Sequence, residues 1–575
     1  MKIFIFLYTK IREMFSKKNM HIHNDFEIVF GEDDAPATDP KRGTTFWTAG
    51  MSGQLRQRII FLSIAAVLIG GIFVFKLWEL QIKQGEAFAI EGVQNSLSQT
   101  PLFPERGTIS DRNDIKLAWN TAIDNQDYFE RSYATSTGFG HLLGYVKYPQ
   151  LDDNRNYYRN EILGQAGVES EFQYLLAGQP GRKIVESNAL GKTISESVIE
   201  PAQSGENIKL SIDSNVQNKL FTLIRDTSKE RGFSSGAGVI MDVVTGELLA
   251  ATAYPEYDPA ALSNGQNEYV TDLISDVSQP FLNRISAGRF TPGSVVKPFI
   301  AVAALAEGVI NPNSKILSTG FLRVENPYNP DLFTIFPDWK KHGLVDMRDA
   351  LAVSSNEYFY QIGGGYKDQP GLGITRIAEY SRAFGLGQRT GIEGMSEIDG
   401  VIPSPQWKQD NFEDGLWRLG DTYNTSIGQY GYQVTVLQMV RAVAAIANSG
   451  NLPKPTVRMD MMERPTRVEK NIAESDYRVV REGMRQAVTD GTAGGLDVQY
   501  LEVAAKTGTA ELGGESSGLN SWIIGFYPYT EPKYAFTVVM ADGPRSNVVG
   551  GVYVMRRLLD WMHLNESAHL TSKSR

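Results

Sequence analysis

Three short groups of residues in this chain carry side chains that together suit the activation of a serine. They are Ser294-Val295-Val296-Lys297, Ser354-Ser355-Asn356 and Lys506-Thr507-Gly508-Thr509. A serine hydroxyl is a poor nucleophile until a base removes its proton. A lysine amine can be that base when desolvation lowers its pKa. The chemistry to test for is therefore acyl transfer through a serine.

The first motif has the local setting of a reactive serine. Ser294 follows Thr291-Pro292-Gly293, which ends one element and starts a helix. The helix continues through residues 300–308, which are nearly all apolar and so predicted to be buried. Serine and lysine three residues apart share one helical face, and the helix N-terminus offers N–H groups to an oxyanion. Alone the pattern is weak, because S-x-x-K occurs by chance about twice in a chain of this length.

The second motif offers a relay and an amide. Ser354 can pass a proton between the lysine and a leaving group, and Asn356 can hold the lysine or bind a substrate peptide group. Residues 347–353, which precede this motif, have a short helical pattern. Without the other motifs, S-x-N is equally consistent with a helix cap or a turn.

The third motif lies in an alternating strand. Gly508 removes a side chain where another backbone must approach, which would let a peptide substrate pair along the strand edge. Lys506 and the hydroxyls of Thr507 and Thr509 then suit a terminal carboxylate. The alternative is an ordinary edge strand with a bulge.

The elements around the motifs predict one antiparallel sheet that is split in the sequence. An early hairpin turns at Thr245–Gly246, strands return near the C-terminus, and the residues between them are rich in helices. The predicted strands are residues 236–243, 248–254, 503–511, 521–528 and 534–541. Upstream, we expect a helix between the glycines of 164–181, a short strand at Leu210 and Ile212, and an amphipathic helix over Val216–Ile224.

One segment is apolar enough to span a bilayer. Residues Ile59–Phe75 carry no charge, and Leu77 and Trp78 extend the run beyond Lys76. Arg56 and Arg58 precede it, so the positive-inside rule places the N-terminus in the cytoplasm. A buried core helix is the alternative. A cleaved signal peptide is disfavoured by the distance from Met1 and by the lack of an A-x-A site.

Composition excludes several classes of function. The net charge of −10 argues against nucleic acid as a partner. The absence of cysteine excludes disulfides, thiolate metal sites and cysteine nucleophiles. The 57 residues that open the chain are charged and mixed, and we predict that they form a largely disordered tail.

In this order, S-x-x-K, S-x-N and KTG are typical of penicillin-binding proteins and active-site-serine β-lactamases. After the apolar segment, the chain resembles class B penicillin-binding proteins along nearly its whole length. The resemblance rests on RGTISDRN, GVESEFQYLLAGQPG, GVIMDVVTGELLA, TPGSVVKPF, SIGQYGYQVTVLQM and AAKTGTAE, although Asp114 stands where the family usually has Gly. WKKHG, NEYFYQIGGG and PSPQW are most similar to penicillin-binding protein 2 of the elongation machinery.

The resemblance implies an α+β fold. A penicillin-binding/β-lactamase-like transpeptidase domain, an antiparallel sheet faced by helices, would stand on an elongated α+β pedestal behind one N-terminal transmembrane helix. The implied divisions are a cytoplasmic tail (1–57), the transmembrane helix (58–78), the pedestal (79–232), the transpeptidase domain (233–564) and a C-terminal tail (565–575). Arg106, Asp111 and Arg112 match a motif that is expected to hold the pedestal together.

The resemblance also implies roles for the motif residues. Ser294 would be the acylated nucleophile, Lys297 its base, Ser354 the relay and Asn356 a positioning residue. Lys506, Thr507, Gly508 and Thr509 would bind the substrate's carboxylate end, and the N–H groups of Ser294 and Thr509 would form the oxyanion hole. Some relatives bind zinc near WKKHG with a cysteine. This chain has none, so neither a metal nor another cofactor is expected.

The implied activity is that of a monofunctional peptidoglycan D,D-transpeptidase of cell elongation, which β-lactams would inhibit. Its partners would be D-Ala–D-Ala stem peptides, the membrane and a glycan polymerase of the SEDS family, because about 150 residues after the anchor match a pedestal rather than a glycosyltransferase. The alternatives are a division-type transpeptidase of the same class, a β-lactamase or β-lactam sensor, and an inactive scaffold. No E-x-x-L-N segment of the class A β-lactamases is present.

Overall fold

The computed structural model describes residues 53–124, 126–153, 157–188, 193–326, 329–459, 461, 463–513 and 518–571. The predicted disorder of residues 1–57 concerns a segment that lies almost entirely outside these residues. The chain forms two compact units, residues 1–92 and residues 93–575.

The first unit contains the predicted membrane segment. Helix α1 (Gly53–Trp78) continues into a π-helical turn (Glu79–Lys83), and α2 (Gly85–Ser96) begins in this unit. The most apolar 18-residue window of the helical stretch Gln57–Lys83 has a mean hydropathy of 2.5, and none of that window is buried. By length and composition this helix can cross a membrane, as the sequence predicts.

In the second unit, the part before residue 233 is built from small sheets and short helices. One three-stranded sheet has the order β1-β9-β10, a four-stranded sheet has the order β11-β2-β3-β4, and two strand pairs join β5 to β8 and β6 to β7. The strands are β1 (Leu97–Leu102), β2 (Ile109–Ser110), β3 (Lys116–Thr121), β4 (Glu130–Tyr133), β5 (Val146–Lys147), β6 (Gln150–Leu151), β7 (Tyr157–Arg159), β8 (Leu163–Gly164), β9 (Gly181–Ser187), β10 (Thr193–Glu200) and β11 (Ile208–Lys209). The helices are α3 (Gly140–Leu143), α4 (Gly167–Glu171), α5 (Gln173–Leu176) and α6 (Ser214–Arg231).

Two buried charged groups organise this region. Glu169 accepts hydrogen bonds from the guanidinium groups of Arg106, at 2.6 Å, and Arg131, at 2.7 Å. Asp111 accepts from the backbone N–H groups of Asn113 and Ile115 and from the hydroxyl of Ser214. The motif around Arg106 and Asp111 therefore holds loops together, as expected.

The predicted split sheet is present. It has five antiparallel strands in the order β13-β12-β22-β21-β20. They are β12 (Ser235–Asp242), β13 (Leu248–Tyr254), β20 (Ala504–Glu511), β21 (Gly518–Tyr527) and β22 (Tyr534–Pro544). The turn between β12 and β13 uses Gly246 at φ 78°, a conformation that glycine adopts without strain. Strand β20 forms one edge of the sheet.

Small strand pairs and many helices lie between these strands in the sequence. The strands are β14 (Ile316–Ser318), β15 (Phe321–Asn326), β16 (Asn329–Pro337), β17 (Gly343–Val345), β18 (Asn451–Leu452) and β19 (Thr466–Arg467). The helices are α7 (Pro259–Ser263), α8 (Asn267–Ser275), α9 (Lys297–Ala306), α10 (Met347–Ala352), α11 (Asn356–Gly364), α12 (Gly373–Ala383), α13 (Pro405–Asn411), α14 (Leu419–Ser426), α15 (Val436–Ala447), α16 (Glu474–Thr489) and α17 (Gly551–Asn565).

Both faces of the five-stranded sheet are buried. Val239 of β12 belongs to the core cluster that includes α9 and α15, whereas its neighbour Ile240 belongs to the cluster that includes α6 and α17. Alternate side chains of the strands therefore pack against two layers of helices, one on each face of the sheet. Helix α6, which is longer than the predicted Val216–Ile224, begins at the N-cap Asp213 and packs on β12 and β13 although it lies before residue 233.

Two local predictions differ from the structure. The helix expected between the glycines of 164–181 is interrupted at Phe172, which has φ −100° and ψ 26° and separates α4 from α5. Phe172 is buried, and the hydrogen bonds from Phe172 N–H to Val168 O and from Leu176 N–H to Phe172 O continue the helical pattern across the interruption. The strand expected around Leu210 and Ile212 is observed as β11, which ends directly before Leu210 and pairs with β2, while Leu210 forms an isolated bridge with Arg458.

Candidate active site

The three motifs meet at one cavity at the edge of the five-stranded sheet. The cavity has a volume of about 590 Å³, and its lining includes six of the predicted residues: Ser294, Ser354, Asn356, Thr507, Gly508 and Thr509. The other two predicted residues, Lys297 and Lys506, are completely buried beside them. Residues up to 215 positions apart in the sequence are thus brought into one site.

Ser294 lies in a tight turn rather than in regular α-helix. The 3-10 turn Gly293–Val296 precedes α9, which starts at Lys297. Gly293 has φ 59°, and its N–H donates to Gly428 O at 3.0 Å. A β-carbon on Gly293 would stand 2.8 Å from Thr509 O, so the absence of a side chain lets this turn approach β20.

The ammonium group of Lys297 is held by the second motif. Its Nζ donates to Ser354 O and Asn356 Oδ1, both at 2.8 Å, and lies 3.3 Å from Ser354 Oγ. Burial lowers the pKa of Lys297 to about 7, although the charge of Asp338 acts in the opposite direction. A lysine with this pKa is partly neutral at physiological pH and can accept a proton.

Ser354 adopts a backbone conformation that is uncommon for serine. Its φ is 58°, in the left-handed region, and its carbonyl faces the Lys297 amine. Strain of this kind persists where surrounding contacts impose it. Here the contacts come from α10 before the motif and α11 after it, and they place a hydroxyl and an amide beside the same amine.

Lys506 is also buried, and its Nζ donates to Thr507 O at 2.9 Å. Burial and the nearby charge of Lys297 hold the pKa of Lys506 well below its usual range. Within the described part of the chain, neither lysine forms a salt bridge. The amines of Lys297 and Lys506 are thus both buried, and their hydrogen-bond acceptors are neutral oxygens.

Gly508 lies where another backbone approaches, as predicted. A β-carbon there would stand 2.8 Å from Val295 Cγ1 and 2.9 Å from Pro292 O. The backbone that approaches Gly508 is therefore that of the protein's own serine turn. Strand β20 still offers an edge to the cavity, so the predicted pairing with a substrate stays a prediction.

Two residues that the sequence analysis missed support the motifs. Asp338 accepts from Ser355 Oγ at 2.7 Å and from the N–H groups of Asn356 and Glu357 at 2.9 and 3.0 Å, which stabilises the N-terminus of α11. Thr492, which lines the cavity, shares a 2.7 Å hydroxyl contact with Thr507. No motif marks either residue, because both act across tertiary contacts.

Two histidines, His141 and His342, lie apart from the proposed catalytic residues. His141 is buried in the pedestal, with Nε2 3.3 Å from Pro255 O, and burial lowers its pKa to about 4. His342 Nε2 lies 3.9 Å from Asp338 Oδ1. Neither lines the cavity that contains Ser294.

Comparison with known proteins identifies the family. Residues 236–554, more than half of the chain, match the penicillin binding protein transpeptidase domain, and residues 121–210 match the penicillin-binding protein dimerisation domain. The chain belongs to the penicillin-binding protein transpeptidase family. The two matched ranges lie within the predicted transpeptidase domain and pedestal.

Two relatives of this penicillin-binding protein are called peptidoglycan D,D-transpeptidase MrdA. The protein from Escherichia coli K12 is 27% identical over 89% of this chain and 94% of its own length. The protein from Haemophilus influenzae is 30% identical over 77% of this chain and 71% of its own length. These relatives place the chain with the elongation-type members, as its motifs suggest.

Solved structures show the same fold. A complex between penicillin-binding protein 2 and MreC from Helicobacter pylori matches with a TM-score of 0.68 and 26% identity, over 82% of this chain and 99% of that one. A chain from a peptidoglycan synthase complex that coordinates polymerization and crosslinking matches with a TM-score of 0.68 and 24% identity, over 91% of this chain and 99% of that one. The second likeness concerns the fold alone.

Proposed function

We propose that this penicillin-binding protein is an elongation-type peptidoglycan D,D-transpeptidase that works through a serine acyl-enzyme. One observation carries the mechanism: a buried Lys297, with its pKa lowered to about 7, stands beside Ser354 and Asn356 at the cavity that also contains Ser294. The names of the MrdA relatives support the substrate class.

In the first step, neutral Lys297 takes the proton of Ser294, and Oγ attacks the carbonyl carbon between the two terminal D-alanines of a stem peptide. The N–H groups of Ser294 and Thr509 would stabilise the tetrahedral oxyanion. Collapse breaks the peptide bond, the proton passes through Ser354 to the leaving nitrogen, and D-alanine departs. An ester joins the remaining peptide to Ser294.

In the second step, an amine of a neighbouring stem peptide attacks that ester. The proton lost by the amine returns through the same groups to Ser294 Oγ, and a new peptide bond forms the cross-link. Thr507 and Thr509 would bind the carboxylate end of the first substrate, a role supported by their position on the edge strand β20 in the lining of the cavity. A β-lactam would enter the first step and remain as a stable ester.

The test of this function is covalent labelling with a fluorescent penicillin, followed by peptide mapping. Ser294→Ala should abolish labelling without changing the melting temperature, whereas Ser275→Ala on the exposed face of α8 should label normally. An adduct on any other serine would refute the assignment. The acyl-enzyme should persist for hours, because rapid turnover would indicate a β-lactamase.

We also propose a single-pass anchor with its N-terminus in the cytoplasm and its catalytic domain on the outer side of the membrane. The basis is the apolar Gln57–Lys83 helix and the positive charge of Arg56 and Arg58 before it. Protease accessibility in spheroplasts tests this orientation. Digestion of the transpeptidase domain only after the membrane is broken would contradict it.

The chain is proposed to be monofunctional and to act with a separate glycan polymerase of the SEDS family. Cross-linking needs new glycan strands nearby, and the residues between the anchor and the transpeptidase domain match a dimerisation domain. A β-carbon on Gly70 or Gly71 would have no atom within 4 Å, so α1 leaves a small-residue face open for a transmembrane helix.

The partner hypothesis is tested by co-purification with the polymerase in mild detergent. Exchange of α1 for an unrelated transmembrane helix should weaken the complex, while Ser294→Ala should leave it intact. Normal co-purification and polymerase activity after the exchange would show that α1 does not contribute. The chain purified alone should make no glycan.

A further inference from the structure

A second cavity lies where the pedestal meets the transpeptidase domain. Its volume is about 480 Å³, within the roughly 300–1,000 Å³ of small-molecule sites. The pedestal contributes residues 133–143, and the other side consists of α6, which packs on the five-stranded sheet, and residues 254–269 of the transpeptidase domain. None of these residues lines the cavity around Ser294.

Glu256 gives this cavity its chemistry. Its carboxylate oxygens accept the N–H groups of Gly138 and Gly140 at 2.6 and 2.9 Å. Each oxygen can accept a further hydrogen bond. Burial raises the pKa of Glu256 to about 7, although the N–H groups of Gly138 and Gly140 and the charge of Arg225 act to lower it. A bound cation would further favour the charged carboxylate.

The other charges of the lining balance the carboxylates only in part. Asp258 adds a second carboxylate, and within the described residues neither acid forms a salt bridge. Arg225 also lines the cavity and its charge lowers the pKa of Glu256, but its Nε donates to Asp226 Oδ1 at 2.8 Å, and two carboxylates share this one guanidinium. The unbalanced charge at the cavity is therefore negative.

Aromatic rings form much of the wall. They belong to Tyr133, Phe139, Phe221, Tyr254, Tyr257 and Tyr269. Ring faces attract an ammonium group and also bury an aliphatic stem. A carboxylate beside aromatic walls favours a ligand with a positive head on an apolar chain.

We propose that this cavity is a second binding site, for a small ligand that carries a primary ammonium group on a flexible stem. An amine-bearing stem peptide would supply that group, an identification that rests on the proposed function. A polyamine would supply the same chemistry. Either ligand would contact the pedestal and the transpeptidase domain at once.

The test uses the full-length protein in detergent, with Ser294 blocked by penicillin, and isothermal titration calorimetry. The probes are a stem tripeptide ending in a diamino acid, the same peptide with its side-chain amine acetylated, and spermidine. The free amine should bind at least about tenfold more tightly than the acetylated form, as expected for a charge-assisted contact. Whichever of the two amines, the free tripeptide or spermidine, binds more tightly identifies the source of the ammonium group.

Two variants test whether the amine binds in this cavity. Asp258→Asn keeps an N-cap for α7 but removes a charge, and it should weaken amine binding severalfold. Ser136→Trp, at an exposed position on the rim, should occlude the cavity and abolish binding. Asp272→Asn, an exposed acid outside the cavity, is the matched control and should bind normally.

Equal binding of the free and acetylated peptides would overturn the proposal, as would undiminished binding by the Ser136→Trp variant or no binding of either amine. Penicillin labelling is measured on the same samples. Its failure would refute the serine mechanism while the dependence on Ser136 and Asp258 still reports on this cavity.

Discussion

Two regions of this molecule bury positive charge in opposite ways. In the pedestal, the guanidinium groups of Arg106 and Arg131 both contact the carboxylate of Glu169, and all three side chains are at most 1% exposed. At the catalytic cavity, the amines of Lys297 and Lys506 are equally buried, but their hydrogen-bond partners are carbonyl, amide and hydroxyl oxygens.

The difference separates a structural use of charge from a chemical one. A buried ion pair keeps both partners charged, and loss of one partner leaves an uncompensated charge. Burial of an amine that forms no salt bridge lowers its pKa and lets it act as a base. In this chain the burial of Lys297 among neutral acceptors therefore matters as much to the proposed mechanism as the lysine itself.

The largest expected effect comes from removal of the catalytic amine. Lys297→Met should slow acylation by penicillin by about 10²–10⁴-fold, the usual contribution of a general base. The fold should survive, because an unpaired buried amine is itself costly. Stopped-flow acylation and the melting temperature measure the two effects. Lys315→Met, at an exposed position, is the control, and a near-normal rate in Lys297→Met would show that another group is the base.

Removal of the pedestal carboxylate should give the reverse pattern. Glu169→Gln leaves two buried guanidinium groups without a counter-charge and should cost about 3–5 kcal/mol of stability. Below the unfolding transition, acylation should be unchanged. Urea unfolding compares this variant with Glu171→Gln, an exposed acid two residues away. Equal stability of the two variants would show that the two buried guanidinium groups do not need the charge of Glu169.

The pH dependence of acylation tests the lowered pKa directly. Since the proposed mechanism makes neutral Lys297 the base, the acylation rate should rise with pH and level off above about 7, and fall about tenfold per unit below it. The charge of Asp338 acts to raise that pKa, so Asp338→Asn should move the profile to lower pH. A profile that still rises between pH 9 and 10 would mean an unshifted lysine.

The smallest effect is expected at the periphery of the site. Thr492→Val removes the 2.7 Å contact with the Thr507 hydroxyl and should lower the second-order rate of acylation about fivefold, equivalent to about 1 kcal/mol. Thr489→Val, exposed at the end of α16, should have no effect on the rate. A wild-type acylation rate in Thr492→Val would show that the Thr507 hydroxyl does not depend on Thr492 for its position.

Local patterns predicted much of the architecture. The alternating strands of residues 503–511, 521–528 and 534–541, the turn at Gly246 and the apolar segment at Ile59–Phe75 all correspond to observed elements. The failures were local too. The helix predicted across Phe172 is divided there by a local change in backbone dihedral angles, which the spacing of apolar residues does not reveal.

By itself, the sequence determined the family, the sheet and the three motifs, because short-range spacing and residue type carry that information. It named Ser294, Lys297 and Gly508, and it predicted that another backbone approaches Gly508. Only the tertiary structure decided which backbone crowds that glycine, that Asp338 stabilises the start of α11, and that Glu256 lies at a cavity between two regions. These properties depend on burial and on distances between residues that are far apart in the sequence. The pKa values of the buried groups depend on the same two quantities.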